Sequence, residues 1–331
     1  MMNEYNPPFK ITNEIIDLIS KIMEQIGKVH SYEALDRLPR LRKQNRIRSV
    51  FSSCAIEANS LSLNQVSDIL NGKKVIGPEK DIQEVKNALD AYNEISNFDP
   101  FEIYDLKKVH EILTKCVIER PGEFRLNEEG VFAGEECIFI APPFRLVPDL
   151  IYNLFAWMNR NKNELHPLIL SSVFHYEFVF IHPFQDGNGR TARLWQTAIL
   201  GKFNPIFYWI PIENYIMENQ SEYYDAISKS NANGDSTVFI TFILKIILQA
   251  IINIQNDISV HTNHISMYVN KLMNVMEVGV PMTSLEIMNK LNIRSKETFR
   301  KNYLNPAVES DLVEYELKDK PTSRNQRYIR K

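Results

Sequence analysis

Apolar residues recur at helical spacing along most of the chain. Between positions 11 and 26, Ile15, Ile16, Leu18, Ile19, Ile22, Met23 and Ile26 mark one helical face. Residues 39–61 read as a second helix, with Arg40, Arg42, Lys43, Arg46 and Arg48 in its first half and little charge in its second. Pro78 and Glu79 open a helix that runs to Ile95, with proline at the start and acid in the first turn. Residues 100–115 and 148–160 behave similarly, and the apolar runs 168–181 and 194–200 add two more. With only 11 glycines in 331 residues, the pattern predicts a mainly α fold, a bundle of helices.

Three stretches depart from it. Residues 121–143, PGEFRLNEEGVFAGEECIFIAPP, hold two β-prone runs, 130–133 and 137–141, about a Gly-Glu-Glu turn, and predict a β-hairpin. Such a hairpin is either incidental or has a task. Residues 238–254 are the most apolar run, but Thr241, Lys245, Gln249 and Asn253 return every fourth residue on one face. A lysine in mid-span points to a buried helix rather than a membrane crossing. Near the end, residues 283–291 and 295–304 read as two short helices, and 313–317 and 326–329 as strands. That order fits a small winged-helix (α+β) module. The expected division is 1–99, 100–235, 236–278 and 279–331.

Charge changes this picture little. Thirty-eight basic against 41 acidic residues give −3, so the whole chain demands neither nucleic acid nor an acidic membrane. Residues 320–331 are locally basic, with Lys320, Arg324, Arg327, Arg330 and Lys331 and no acid. Cys54, Cys116 and Cys137 form no CxxC pair and read as free thiols in a reducing compartment. The opening MMNEYNPPFK shows no signal-peptide pattern, so a cytoplasmic location is expected.

The chemistry gathers in His182-Pro183-Phe184-Gln185-Asp186-Gly187-Asn188-Gly189-Arg190-Thr191-Ala192-Arg193, between two helical runs. Gly187 and Gly189 permit the torsions that point successive N–H groups the same way, and such a nest at a helix start attracts anions. Arg190 and Arg193, three apart, can reach one anion together. Asp186 beside a phosphate nest is a hard oxygen ligand of the kind Mg²⁺ takes, and His182 can serve as a base at neutral pH. Base, metal ligand, nest and arginines together indicate phosphoryl or nucleotidyl transfer.

These residues match the Fic signature HxFx(D/E)GNGRxxR at every specified position, and the likeness extends over roughly residues 52–235. The hairpin followed by Val147-Pro148 resembles the Fic flap. Tyr223-Tyr224 with the segment 231–235 resembles the family's base-pocket helix. The resemblance implies a Fic-type helical bundle that transfers AMP from ATP to a hydroxyl of a target protein. His182 would be the base, Phe184 a packing anchor, and Asp186 the Mg²⁺ ligand, with Mn²⁺ as the alternative ion. The N–H groups of Gly187, Asn188 and Gly189 would cradle the phosphates, with Arg190 on the β- and Arg193 on the γ-phosphate. Tyr224 and Asn231 would border the adenine. Val131, Phe132, Ala133 and Gly134 would hold the target by strand addition. The implied partners are ATP and a target protein, with a homodimer and weak DNA contact by the tail left open.

A second likeness is to the family's inhibitory helix, (S/T)xxxE(G/N), which places Ser53 and Glu57 opposite Arg193. Ala58 departs from that pattern; it is expected to prolong the helix and so to weaken inhibition. His175, two helical turns before His182, is either a second active-site histidine or a packed one. His261 and His264 read as surface positions. Phosphate, UMP or phosphocholine transfer, removal of AMP, and a DNA-binding regulator with a nucleotide-sensing domain remain alternatives to AMP transfer.

Overall fold

The computed structural model realises the helical spacing as a bundle, described over residues 5–28, 39–133, 136–310, 312–321 and 323–331. Helix α1 (Asn13–Lys28) buries Ile15, Leu18 and Ile22. Helix α2 (Pro39–Ile56) buries Leu41, Val50, Cys54 and Ile56. It is fastened midway, where Ser49 donates to Glu213 Oε2 at 2.9 Å and Tyr92 to Glu213 Oε1 at 2.5 Å. Burial raises the pKa of Glu213, while those hydrogen bonds oppose the shift. Helix α3 (Leu63–Leu70) starts at a capping box between Ser62 and Gln65. Helices α4 (Glu79–Glu94), α5 (Ile103–Thr114) and α6 (Val147–Asn161) follow the expected positions.

Two helices form the centre. In α7 (Pro167–Ile181) and α8 (Asn188–Phe203) nearly every side chain is buried, which is why their sequences show almost no polar face. Helices α9 (Ile212–Glu218) and α10 (Gln220–Asn233) come next, then α11 (Thr237–Val275). Residues 237–255 of α11 are long and apolar enough to cross a membrane by length and composition, yet half of that window is buried. Lys245 sits on its polar face, 2.7 Å from Glu14 Oε1.

The hairpin pairs β1 (Gly130–Ala133) with β2 (Glu136–Ile140) in antiparallel register, Val131 against Phe139 and Phe132 against Cys137, with an irregularity between Val131 and Phe132. The second strand starts one residue earlier than expected. Gly134, assigned to the flap, lies outside the described residues, as do the side chains of His261 and His264.

The described residues divide into two compact units, 5–28 with 40–252, and 39 with 253–331. Residues 5–28 and 40–99 thus fall in the same unit as 100–235. The second unit carries β3 (Met282–Thr283), helix α12 (Ser284–Lys290), helical segments from Lys296 to Glu309, and strands β4 (Val313–Tyr315) and β5 (Arg327–Arg330). The sheet order is β3-β5-β4, so the short β3 adds an edge that the sequence pattern did not show. Leu272, Met276, Ile287, Phe299, Leu304 and Val313 form its core.

Candidate active site

Helix α7 ends on His182, whose φ of +50° and ψ of +60° lie in the left-handed region. A non-glycine residue there costs about 1–2 kcal/mol, so the loop must hold it. Phe184 is fully buried beneath the loop, its ring stacked on His110 at 3.6 Å between centroids. The Asn188 side chain closes the loop, accepting from the Phe184 N–H at 2.9 Å and donating to its carbonyl at 2.7 Å. Asn188 thus contributes a loop clamp as well as a backbone N–H.

His110 supports the other side. Its Nδ1 accepts from the Gly122 N–H at 2.9 Å, so the ring proton resides on Nε2 and is donated to the Asp186 carbonyl at 2.9 Å. Burial pushes its pKa down to about 4, so the neutral form persists. His182 is also lowered by burial and by Arg125, with the Val179 backbone and the carboxylates of Glu57 and Asp186 opposing. Among the described residues its Nδ1 is buried without a hydrogen-bond partner. A neutral imidazole is the form a general base requires.

The start of α8 forms the nest. Gly187 has φ +80°, and a Cβ there would stand 2.8 Å from Thr114 Cγ2. Its N–H is turned to Asp186 Oδ1 at 2.5 Å, which Arg190 Nη2 also reaches at 3.1 Å. Among the described residues nothing accepts from the N–H groups of Asn188 and Gly189, the open donors of the helix start. Arg190 is buried between Asp186 and Glu84, with Nη1 3.1 Å from Glu84 Oε1. Glu84 in turn accepts from Asn59 Nδ2 at 2.9 Å.

Arg193 is the deepest charge of the site, its side chain 1% exposed. Nη2 donates to Glu57 Oε1 at 2.8 Å and to the Ser53 carbonyl at 2.9 Å, and Nε to Ser53 Oγ at 3.3 Å. Burial alone would lower its pKa, but Glu57 and then Tyr223 outweigh that, and the guanidinium is held above its ordinary value. The same carboxylate covers the nest, because a Cβ on Gly189 would lie 2.1 Å from Glu57 Oε1.

The expectation that Ala58 prolongs the helix is wrong. Helix α2 stops at Ile56, and Ala58 has φ +62°. The Asn59 N–H donates to the Cys54 carbonyl at 3.2 Å and the Ala58 N–H to Ala55 at 3.0 Å, the two bonds of a Schellman closure. Alanine occupies the left-handed place despite its Cβ, so Glu57 leaves the helix end toward Arg193.

Residues 100–200 match the Fic/DOC family model, and residues 268–329 match that of the filamentation induced by cAMP protein Fic-like C-terminal domain. A Fic family protein from Desulfovibrio desulfuricans G20 is 38% identical, covers 99% of this chain and 98% of its own, and superposes with a TM-score of 0.73. The chain belongs to the Fic family. Fic-1 from C. elegans, at 23% identity and a TM-score of 0.60, covers 75% of this chain and 72% of its own and shares the fold. The protein adenylyltransferases Fic of Culex quinquefasciatus and Nematostella vectensis are both 29% identical, over 68% and 69% of this chain. The chain spans about half the length of these curated relatives, 44% and 53%.

Within this Fic fold, Tyr224 and Asn231 lie seven residues apart on α10. Tyr224 is exposed, and Asn231 Oδ1 accepts from Tyr176 at 2.9 Å. His175 is a packed histidine, between Gln196 Oε1 at 2.6 Å and Tyr223 OH at 3.0 Å. Burial pushes its pKa down to about 3. The sequence pattern missed Asn59, Glu84, His110 and Arg125. Asn59 lies in the Glu57 turn itself, while Glu84, His110 and Arg125 act on the loop or that turn from distant segments.

Proposed function

We propose that this Fic chain is a protein adenylyltransferase held in check by its own Glu57. The observation that carries the reading is the Glu57 carboxylate, ion-paired to Arg193 and seated over Gly189, on top of an otherwise complete transfer loop. In the active arrangement the oxygen of a target hydroxyl attacks the α-phosphorus of ATP, and pyrophosphate leaves as the α–β bridging bond breaks. The hydroxyl proton passes to neutral His182. Glu57 must leave before Arg193 and the open N–H groups of Asn188 and Gly189 can take phosphate oxygens.

Mg²⁺ suits the donor set: Asp186 has one oxygen fixed by Gly187 and Arg190, and the other accepts no hydrogen bond among the described residues. A single carboxylate with phosphates and water is the usual Mg²⁺ environment, and the bound ion would offset phosphate charge. Asp186 orients that oxygen because Arg190 and the Gly187 N–H hold its partner. The hairpin β1/β2 offers backbone for a target strand. The helices and three-stranded sheet of the second unit support the winged-helix reading. Incubation with ATP labelled on either the α- or the γ-phosphate separates AMP transfer from phosphate transfer. Retention of α-label alone on protein is expected; retention of γ-label would contradict the reading.

A further inference from the structure

Arg125 is nearly fully buried, at 4% exposure, and among the described residues its guanidinium makes no hydrogen bond to a carboxylate, although the charges of Glu128 and Glu129 oppose the lowering of its pKa by burial. Its partners are all backbone carbonyls. Nε donates to His182 at 2.7 Å, Nη1 to Asn127 at 2.8 Å, and Nη2 to Pro142 and, at 3.4 Å, to Ile181. The Arg125 N–H donates to the Pro183 carbonyl at 2.9 Å. Two of these acceptors lie at the C-terminal end of α7, where orphaned carbonyls and the helix dipole favour a cation. The other two, Asn127 and Pro142, lie on opposite legs of the hairpin, just below the closing bond from the Ala141 N–H to the Glu129 carbonyl at 3.1 Å.

One planar fork therefore joins both hairpin legs to the peptide of the general base. We propose that Arg125 is a positioning residue that sets the hairpin, and with it the target hydroxyl, against His182; this rests on the adenylyltransferase reading above. Only a guanidinium has enough donors in a fixed plane to serve four carbonyls; a lysine ammonium has three donors at one point. No contact of Arg125 involves Asp186, the nest, Arg190 or Arg193, so its effect falls on the acceptor side of the reaction rather than on ATP.

The test has one arm that needs no activity. In the full wild-type chain, native-state hydrogen exchange at Ala141 and His182 should report a single opening with one shared protection, as expected for a cooperative unit. Separate openings of the two amides would overturn the proposal. In Arg125→Lys both amides should exchange roughly tenfold faster or more, together, while core amides of α8 keep their protection. Loosening at Ala141 with His182 unchanged would make Arg125 a hairpin clamp only and would also overturn it.

The second arm uses self-modification by intact mass in a Glu57→Gly background. Adding Arg125→Lys should slow it by about tenfold or more, since small misplacements of a reacting group carry penalties of that order. The ATP Kd by calorimetry should stay within about twofold. Unchanged transfer, or ATP affinity lost in step with transfer, would refute the positioning role. If the Glu57→Gly parent itself takes up no AMP, the adenylyltransferase reading fails, and the exchange arm still decides whether Arg125 couples the two elements.

Discussion

Replacing Ala58 by glycine should stabilise this protein, although it removes a methyl group from a helix end. Ala58 sits at φ +62° and closes α2 with the bonds Asn59 to Cys54 and Ala58 to Ala55. The left-handed conformation costs an L-residue with a Cβ about 1–2 kcal/mol. Glycine removes that strain but gives the unfolded chain more freedom, which offsets about 0.4–1 kcal/mol. The balance is a gain of roughly 0.5–1 kcal/mol. For a unit of this size that amounts to about 1–4 °C in Tm. Because the turn carries Glu57 to Arg193, the same gain applies to the closed site, and basal transfer should fall by about two- to fivefold. Thermal unfolding by circular dichroism and a labelled-ATP rate measure the two effects on one preparation. A variant with lower Tm and higher basal transfer would mean that Ala58 is not left-handed in solution and that α2 continues through Glu57.

His182→Ala should abolish transfer, a loss on the order of a hundred- to ten-thousand-fold, because the base acts on the hydroxyl proton. ATP affinity by calorimetry should change by less than about tenfold, equivalent to 1.4 kcal/mol; a larger loss would make His182 a binding group. His110 and His175 should stay neutral in the folded state to pH ~5, as followed by their ring resonances, since burial depresses them to about 4 and about 3. Their folded values lie below the ordinary 6.5, so the stability they contribute is present above that pH and is lost as pH falls through 4 toward 3. Ring titration near 6.5 would refute the buried, hydrogen-bonded geometry.

The helices and the transfer loop were legible in the sequence because both are local. Apolar spacing marks α1 and α4, and the run from His182 to Arg193 places base, carboxylate, glycines and arginines within one turn and one helix start. The S-x-x-Q box at Ser62 and Gln65 could have shown α3, in a stretch after residue 61 to which the apolar spacing assigned no element. What was not legible is long-range. Arg125 finds its carbonyls 56 and 57 residues away, His110 reaches Asp186 across 76, and no spacing rule links such pairs. Ala58 misled for a different reason: its helix propensity is outweighed by the closure at Cys54 and the Glu57–Arg193 pair, a tertiary override of a local preference.

In the proposed function Glu57 blocks an intact adenylyltransferase site by holding Arg193, with its own side chain still 35% exposed and able to leave. Intact mass of the wild-type protein and of Glu57→Gly, after incubation with Mg²⁺ and ATP, tests it most directly. An increment of one or more AMP is expected on the variant, little or none on the wild type, and none when His182→Ala is added. A variant that gains no AMP while remaining folded, or a wild type modified as fast as the variant, would contradict it.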